Sequence, residues 1–189
     1  MEERPELYFP RDVEWRDWLE INHGQYPKGI YLIFYKLENN IPTMRWEEAV
    51  RVALCYGWID STVKSLGGGK RRQYFCPRNP KSNWSALNKK YIAELEAVGL
   101  IHEAGYKMIN LAKETGTWTA MDDVENGIIP PDLQKAFDAN PQAFENYNNF
   151  SRGYRKSYLS WLHSAKREET RQKRIAEIIE LCASNIKSR

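Results

Sequence analysis

Cysteine, histidine and long apolar runs are all scarce in this sequence of 189 residues. The three cysteines are widely spaced, which excludes a disulfide framework and favours a reducing compartment. The three histidines are also far apart, and no cysteine lies at metal-ligand spacing from another. No run approaches the roughly 20 apolar residues that cross a bilayer, and the first ten residues lack the apolar segment of a secretory signal. We therefore expect a cytoplasmic protein with no metal, no cofactor and no membrane insertion.

Common nucleotide-binding and hydrolase motifs are absent too. The string GGGK at residues 67–70 has strand patterns on both sides, whereas a phosphate-binding loop needs a strand before it and a helix after it. No GxSxG elbow occurs. Aromatic residues, in contrast, make up 13% of the chain, which excludes a disordered protein and indicates a packed core.

Basic residues are concentrated in one stretch of the N-terminal half. Between residues 61 and 90 the chain has eight basic residues and no acidic one, and Tyr74, Phe75 and Trp84 lie among them. Such a stretch is typical of a site for an anion, a nucleic acid or an acidic protein, and also of a hairpin with a solvated basic face. The basic residues are Lys64, Lys70, Arg71, Arg72, Arg78, Lys81, Lys89 and Lys90.

The N-terminal half predicts helices packed on a small antiparallel sheet. Asp12 is expected to cap a first helix, and a second helix is expected to open at Thr43 or Arg45. The segment GIYLIFYKL (29–37) has the composition of a buried strand. Two further strand patterns flank the glycines at 67–69, which predicts a β-hairpin. These patterns together predict an α+β fold.

Helical patterns follow the hairpin. Ser82 or Asn83 is the predicted cap of a helix that continues to Val98, and another pattern covers residues 102–115. Pro131 suits a first helical position, and three or four helices are expected after it.

A turn-rich, acidic segment at residues 116–131 separates the two halves. It contains two prolines, and such segments are typical of boundaries between sub-domains. We therefore predict an α+β sub-domain over residues 1–118 and a helical sub-domain over residues 126–189.

Cys55 and Asp60 are the residues outside the basic stretch that bear on catalysis. Cys55 is a candidate nucleophile with His23 as its helper if the first two helices pack together, but a cysteine on an amphipathic helix is more often a core residue. Asp60 is a general base if it is buried, or else an anchor for a nearby arginine. We favour the structural interpretation of both, and hence a protein that is not an enzyme.

The stretch RQYFCPRNPKSNWSALN (72–88) has the strongest signal for a ligand. Arg78 stands in a proline-stiffened loop just before a predicted helix, and a helix N-terminus offers free N–H groups and a positive dipole end. That arrangement binds a carboxylate or a phosphate, whereas the alternative is a capped helix with Trp84 in the core. We predict that Arg78 holds the anion, two serines add hydroxyls, two tryptophans form an apolar wall and Asp60 holds Arg78 in place. The predicted ligand-binding residues are Trp58, Asp60, Arg78, Ser82, Trp84 and Ser85.

Four further motifs occur in a fixed order along the chain. They are ALCYGWIDS (53–61), RQYFCPRNPKSNWSALN (72–88), IPPDLQKAF (129–137) and SAKREETRQKRIAEII (164–179). Together they resemble the YdeI/OmpD-associated family, which is named for bacteriocin protection. The resemblance implies a cytoplasmic bacterial protein with an α+β N-terminal part and a helical C-terminal part. The chain departs from the family in the hairpin turn, where three glycines replace a more acidic and polar sequence.

Residues and resemblance together predict a non-enzymatic bacteriocin- or stress-protection protein that binds a small anionic ligand or a protein partner. One alternative is an enzyme with a cleft around Asp60, Arg78 and Trp84. A second alternative is a nucleic-acid-binding module that uses the basic stretch at residues 61–90, with an affinity that falls as salt rises. The sequence does not determine the oligomeric state.

Overall fold

The computed structural model describes residues 4–188, and the chain divides into two compact units. The first unit ends at Thr119 and the second begins at Ala120. Among the described residues, every helix is too short or too polar to cross a bilayer.

Among the described residues, a four-stranded sheet and four α-helices form the first unit. The elements are β1 (Glu6–Leu7), α1 (Asp12–Asn22), β2 (Ile30–Tyr35), α2 (Trp46–Cys55), β3 (Trp58–Gly67), β4 (Lys70–Pro77), α3 (Ala86–Ala97) and α4 (Glu103–Glu114). The strands lie in the order β1-β2-β4-β3. Strand β2 pairs antiparallel with β4, and β4 pairs antiparallel with β3 across the glycine turn, so the predicted hairpin and α+β class are confirmed. The short β1 pairs parallel with β2, which the expectation of an antiparallel sheet did not include.

Strand alternation gives this sheet one core face. Ile30 lies opposite Phe75 in the register and Leu32 lies opposite Gln73, so these residues point to the same side. All four are buried there. Helix α1 covers this face with Trp15, which is fully buried and whose indole N–H donates to the carbonyl of Ala49 in α2 (3.1 Å). Aromatic side chains therefore form a large part of the core of this unit.

Two predicted helix caps were wrong. Asp12 is already the first helical residue of α1, and Arg11 holds the cap position without a side-chain hydrogen bond. Helix α3 is capped by Ser85, whose hydroxyl accepts from the Asn88 amide (3.2 Å), and not by Ser82 or Asn83. Ser82 belongs to the preceding turn because its amide and hydroxyl both donate to the carbonyl of Asn79, which delays the start of the helix.

In its described part, up to residue 188, the second unit has five helices. They are α5 (Asp122–Asn126), α6 (Pro131–Asp138), α7 (Pro141–Asn149), α8 (Arg152–His163) and α9 (Glu168–Ala183). The predicted turn-rich boundary contains α5, and Pro131 occupies the first position of α6 as expected. The core is apolar and aromatic, with Leu133, Phe137 and Ile178 fully buried.

A two-pronged ion pair joins α6 to α9 in this unit. Arg171 donates through Nε and Nη2 to the two carboxylate oxygens of Asp132, at 2.5 and 2.8 Å. The amide of Leu133 also donates to Asp132. Chiefly through the Arg171 hydrogen bonds, the pKa of Asp132 falls below its ordinary value of 3.8.

Removing this carboxylate should weaken the second unit in a pH-dependent way. Because the pKa of Asp132 is lower in the folded unit than in the unfolded chain, its contribution is complete above the unfolded value and disappears as the pH falls through the folded value. We expect Asp132→Asn to lower the free energy of unfolding by about 0.5–1 kcal/mol at pH 7, the scale of an exposed but well-formed ion pair. Thermal melts from pH 7 to pH 3 should show the difference from the wild type shrinking in acid.

The control is Asp138→Asn, which removes a carboxylate from the same helix. Asp138 accepts a hydrogen bond from the neutral side chain of Gln134, so this variant leaves the ion pair intact. An Asp132→Asn defect that stays constant down to pH 3 would contradict the assignment of stability to the ion pair.

Candidate functional site

Arg78 is the most unusual polar side chain of the first unit. It directly follows β4, its amide donates to the carbonyl of Gly57, and the residue is only 5% exposed. Its guanidinium lies over the ring of Trp84, with Cζ 3.8 Å from the ring centre, and Nη2 donates to the carbonyl of Asn83 (2.5 Å). The loop of residues 79–83 thus folds back, so that Asn83 and Trp84 at its end contact Arg78, the residue just before it.

This guanidinium is incompletely hydrogen bonded. Nε and Nη1 are buried and have no partner among the described residues. Asn83 occupies only one of the two hydrogens of Nη2, so the other Nη2 hydrogen and one unpartnered nitrogen still share an edge of the fork. Burial lowers the pKa of Arg78 to about 10, against the opposing effect of Asp60. A buried cation with a free two-donor edge is the arrangement that binds a carboxylate or phosphate.

Asp60 lies on β3, but it does not hold Arg78 by a hydrogen bond. Its Oδ2 accepts from the indole of Trp46 (2.9 Å) and from the side-chain amide of Gln73 (2.5 Å). Asp60 therefore acts on Arg78 through its charge alone, by raising the pKa of Arg78. The predicted role of Asp60 in holding Arg78 has no hydrogen bond behind it among the described residues, because the Oδ2 bonds come from neutral donors on α2 and β4.

The other predicted site residues have structural partners. Trp58 is buried and packs edge-on against Trp15 and Trp18, and its indole donates to the carbonyl of His23 (3.1 Å). As described above, Ser82 closes a turn and Ser85 caps α3. The structure therefore brings together Arg78 and Trp84 in direct contact, and it uses Trp58 as an anchor of the aromatic core.

The basic stretch is not simply a solvated face. Arg71 lies over the ring of Phe34 and Arg72 over the ring of Tyr31, with Cζ 5.2 and 4.4 Å from the ring centres. Arg72 also forms an ion pair with Glu6. The Arg72 cation is thus engaged within the sheet by both a ring and a carboxylate, which disfavours a nucleic-acid interface that needs it free.

Catalysis by a cysteine has no support from the local chemistry. Cys55 contacts Arg16, whose Nη2 lies 3.3 Å from Sγ, and its thiol donates to the carbonyl of Arg51. Burial raises the pKa of Cys55, and it also raises the pKa of Cys76 and of Cys182, so the reactive thiolate is disfavoured at all three.

A cluster that sequence reasoning missed lies beside Cys55. The rings of His23 and His102 are 4.9 Å apart, and the ring of Tyr56 stacks on His102 at 5.1 Å. His102 caps α4 by accepting from the Ala104 amide through Nδ1, and the Tyr56 hydroxyl donates to Glu20. The start of a helical pattern at His102 was the only local signal, because the packing of α1, α2 and α4 is not visible in the sequence.

Comparison with known families assigns the two parts of the chain separately. Residues 7–108 match the model of a domain of unknown function (DUF8412). The chain belongs to the DUF8412 family. Residues 126–185 match the model described as bacteriocin-protection, YdeI or OmpD-associated, which confirms the family resemblance seen in the sequence. No curated protein and no solved structure matches the chain.

The two matches divide the four segments of the sequence resemblance between them. The segments ALCYGWIDS and RQYFCPRNPKSNWSALN lie within the DUF8412 match, and the segments from Ile129 onward lie within the YdeI/OmpD-associated match. Arg78 and Trp84 are therefore features of the DUF8412 part.

Proposed function

We propose that this protein is a non-enzymatic bacteriocin- or stress-protection protein that binds a small anion, a carboxylate or a phosphate, at Arg78. The protective role is supported by the match of residues 126–185 to a model of that description. The anion is supported by one observation above all, the buried guanidinium of Arg78 with two unpartnered nitrogens. Trp84 forms one wall of this site, and the loop before Ser85 forms another.

The free energy of burial supports a binding role for Arg78 over a purely structural one. A buried cation without full hydrogen bonding destabilises a fold by several kcal/mol, and an apolar side chain of similar length is usually tolerated better. Retaining such a group at a cost in stability is typical of functional sites. An anion that completes the hydrogen bonds of Arg78 would offset this cost when it binds.

A binding protein fits the surroundings better than an enzyme. The Oδ2 oxygen of Asp60 accepts from Trp46 and Gln73, a structural role that joins α2, β3 and β4. The thiols of this unit have raised pKa values, as described above. Among the described residues, no group of three or more acidic, histidine or cysteine side chains is arranged to hold a metal ion.

The test is the response of thermal stability to acetate and phosphate, each compared with chloride at equal ionic strength. We expect either anion to raise the melting temperature of the wild type. Arg78→Met should abolish this rise while leaving the free protein as stable or more stable, because it removes an uncompensated buried charge. Arg78→Lys keeps the charge and loses the fork, so binding should weaken by about 1–3 kcal/mol.

The matched control is Lys81→Met, which removes an exposed cation from the same loop. It should leave the response to both anions unchanged. An Arg78→Met variant that loses several kcal/mol of stability, together with a wild type that responds to neither anion, would show that Arg78 is a structural residue and would overturn the proposal.

A further inference from the structure

A second candidate site lies on the same sheet, away from the Arg78 loop. A cleft of about 980 Å³ opens between the end of β2, the segment that leads into α2 and the β3–β4 hairpin. Its volume is at the upper end of the range for pockets that hold small molecules. No part of the Arg78 site lines it.

The cleft has an apolar floor built by strand alternation and by the start of α2. Phe34 lies opposite Arg71 in the register, and Ser65 lies opposite Arg71 on the other side, so these side chains share one face of the sheet. Phe34 and Met44 are buried, and the half-buried ring of Trp46 adds an aromatic edge. Leu37 and Val63 also line the cleft and are exposed (66% and 53%), so they and Trp46 offer the apolar surface to a ligand.

The rim of the cleft carries uncompensated positive charge. Arg45, Lys70 and Arg71 line it, and none of the three forms an ion pair with any residue between 4 and 188. Lys36 is different because it pairs with Glu38 (3.1 Å). Glu47 is the other acid of the lining, so the net charge favours an anion.

We propose that this cleft binds a small amphiphilic anion, a carboxylate, sulfonate or phosphate attached to a flat apolar body. The guanidinium of Arg71, held over Phe34, binds the anionic group, with Lys70 adding charge beside it. The flat body lies on Val63 and Trp46. This site is independent of the proposed function at Arg78, and either can fail without the other.

Two dyes with related aromatic bodies test the proposal. 8-Anilino-1-naphthalenesulfonate carries a sulfonate, whereas N-phenyl-1-naphthylamine has the same anilinonaphthalene body without a charge. Fluorescence titration of the folded full chain should show saturable binding of the sulfonate, and binding of the neutral dye should be at least about tenfold weaker, the scale of one hydrogen bond to a charged group. Arg71→Gln should weaken binding of the sulfonate by a similar factor.

The matched control is Lys64→Gln. Lys64 lies on β3 opposite Arg72 in the strand register, and it is outside the cleft lining. This variant removes the same charge from the same hairpin and should change the affinity less than about twofold, as expected for a screened surface charge. Circular dichroism should first show that each variant is folded.

NMR signals of the tryptophan indole N–H groups show where on the protein the dye binds. The Trp46 signal, assigned with Trp46→Phe, should shift on titration with the sulfonate, because the Trp46 indole edge lines the cleft. Equal weakening by Arg71→Gln and Lys64→Gln, equal affinity for the two dyes, or a shift confined to the Trp84 signal would each overturn the proposal.

Discussion

Replacing Trp84 by alanine is expected to lower the free energy of unfolding of the first unit by about 3–5 kcal/mol. Trp84 is only 2% exposed, and its ring packs against Trp118 with 5.0 Å between ring centres. The same ring is the surface on which the Arg78 guanidinium lies. Alanine removes both contacts and leaves a cavity that a well-packed interior fills only in part.

Hydrogen exchange of the amides in β2 and β4 measures this loss for the first unit separately. Leu87→Ala is the control, because Leu87 lies three residues further along and is 42% exposed. It should cost no more than about 0.5 kcal/mol, as is usual for surface substitutions. A Trp84→Ala loss below about 1 kcal/mol would show that the ring contributes little to the core and is available to stack on a ligand.

The contact between Arg78 and Trp84 was predictable because it is local. Only five residues lie between the two positions, and Pro80 among them helps to restrict the chain to a tight loop. The hairpin was predictable for the same reason, since glycines 67–69 join two strand patterns directly. Helix periodicity in the second half likewise depends on neighbours three and four residues apart.

The partners of Asp60 were not predictable, because they depend on how distant elements pack. Trp46 comes from α2 and Gln73 from the neighbouring strand, so the strand register and the packing of α2 together bring both to one carboxylate. The cleft beside Arg71 has the same origin. Its lining combines three separate segments, whose meeting is a property of the sheet and its covering loop. A sequence pattern contains the residue types of such sites, but their geometry arises from tertiary packing.

At position 29, the backbone conformation and the closeness of a neighbouring strand both favour glycine. Gly29 lies just before β2 with a φ of +66°. Residues other than glycine adopt this left-handed conformation at a cost of about 1–2 kcal/mol. A Cβ added there would lie 2.3 Å from the carbonyl oxygen of Phe75 and 2.6 Å from Cβ of Cys76. Neither atom is the free end of a flexible side chain, so β2 and β4 would have to separate.

We expect Gly29→Ala to lower the free energy of unfolding of the first unit by about 2–4 kcal/mol, the combined scale of left-handed strain and overpacking. Gly68→Ala separates the two effects. Gly68 also has a positive φ, +55°, but a Cβ there would have no neighbour within 4 Å. It should cost only about 1 kcal/mol, since the lower entropy of the unfolded chain offsets part of the strain. Hydrogen exchange in β2 and β4 distinguishes the variants, and equal losses would mean that backbone conformation, and not the close approach of the strands, requires glycine at position 29.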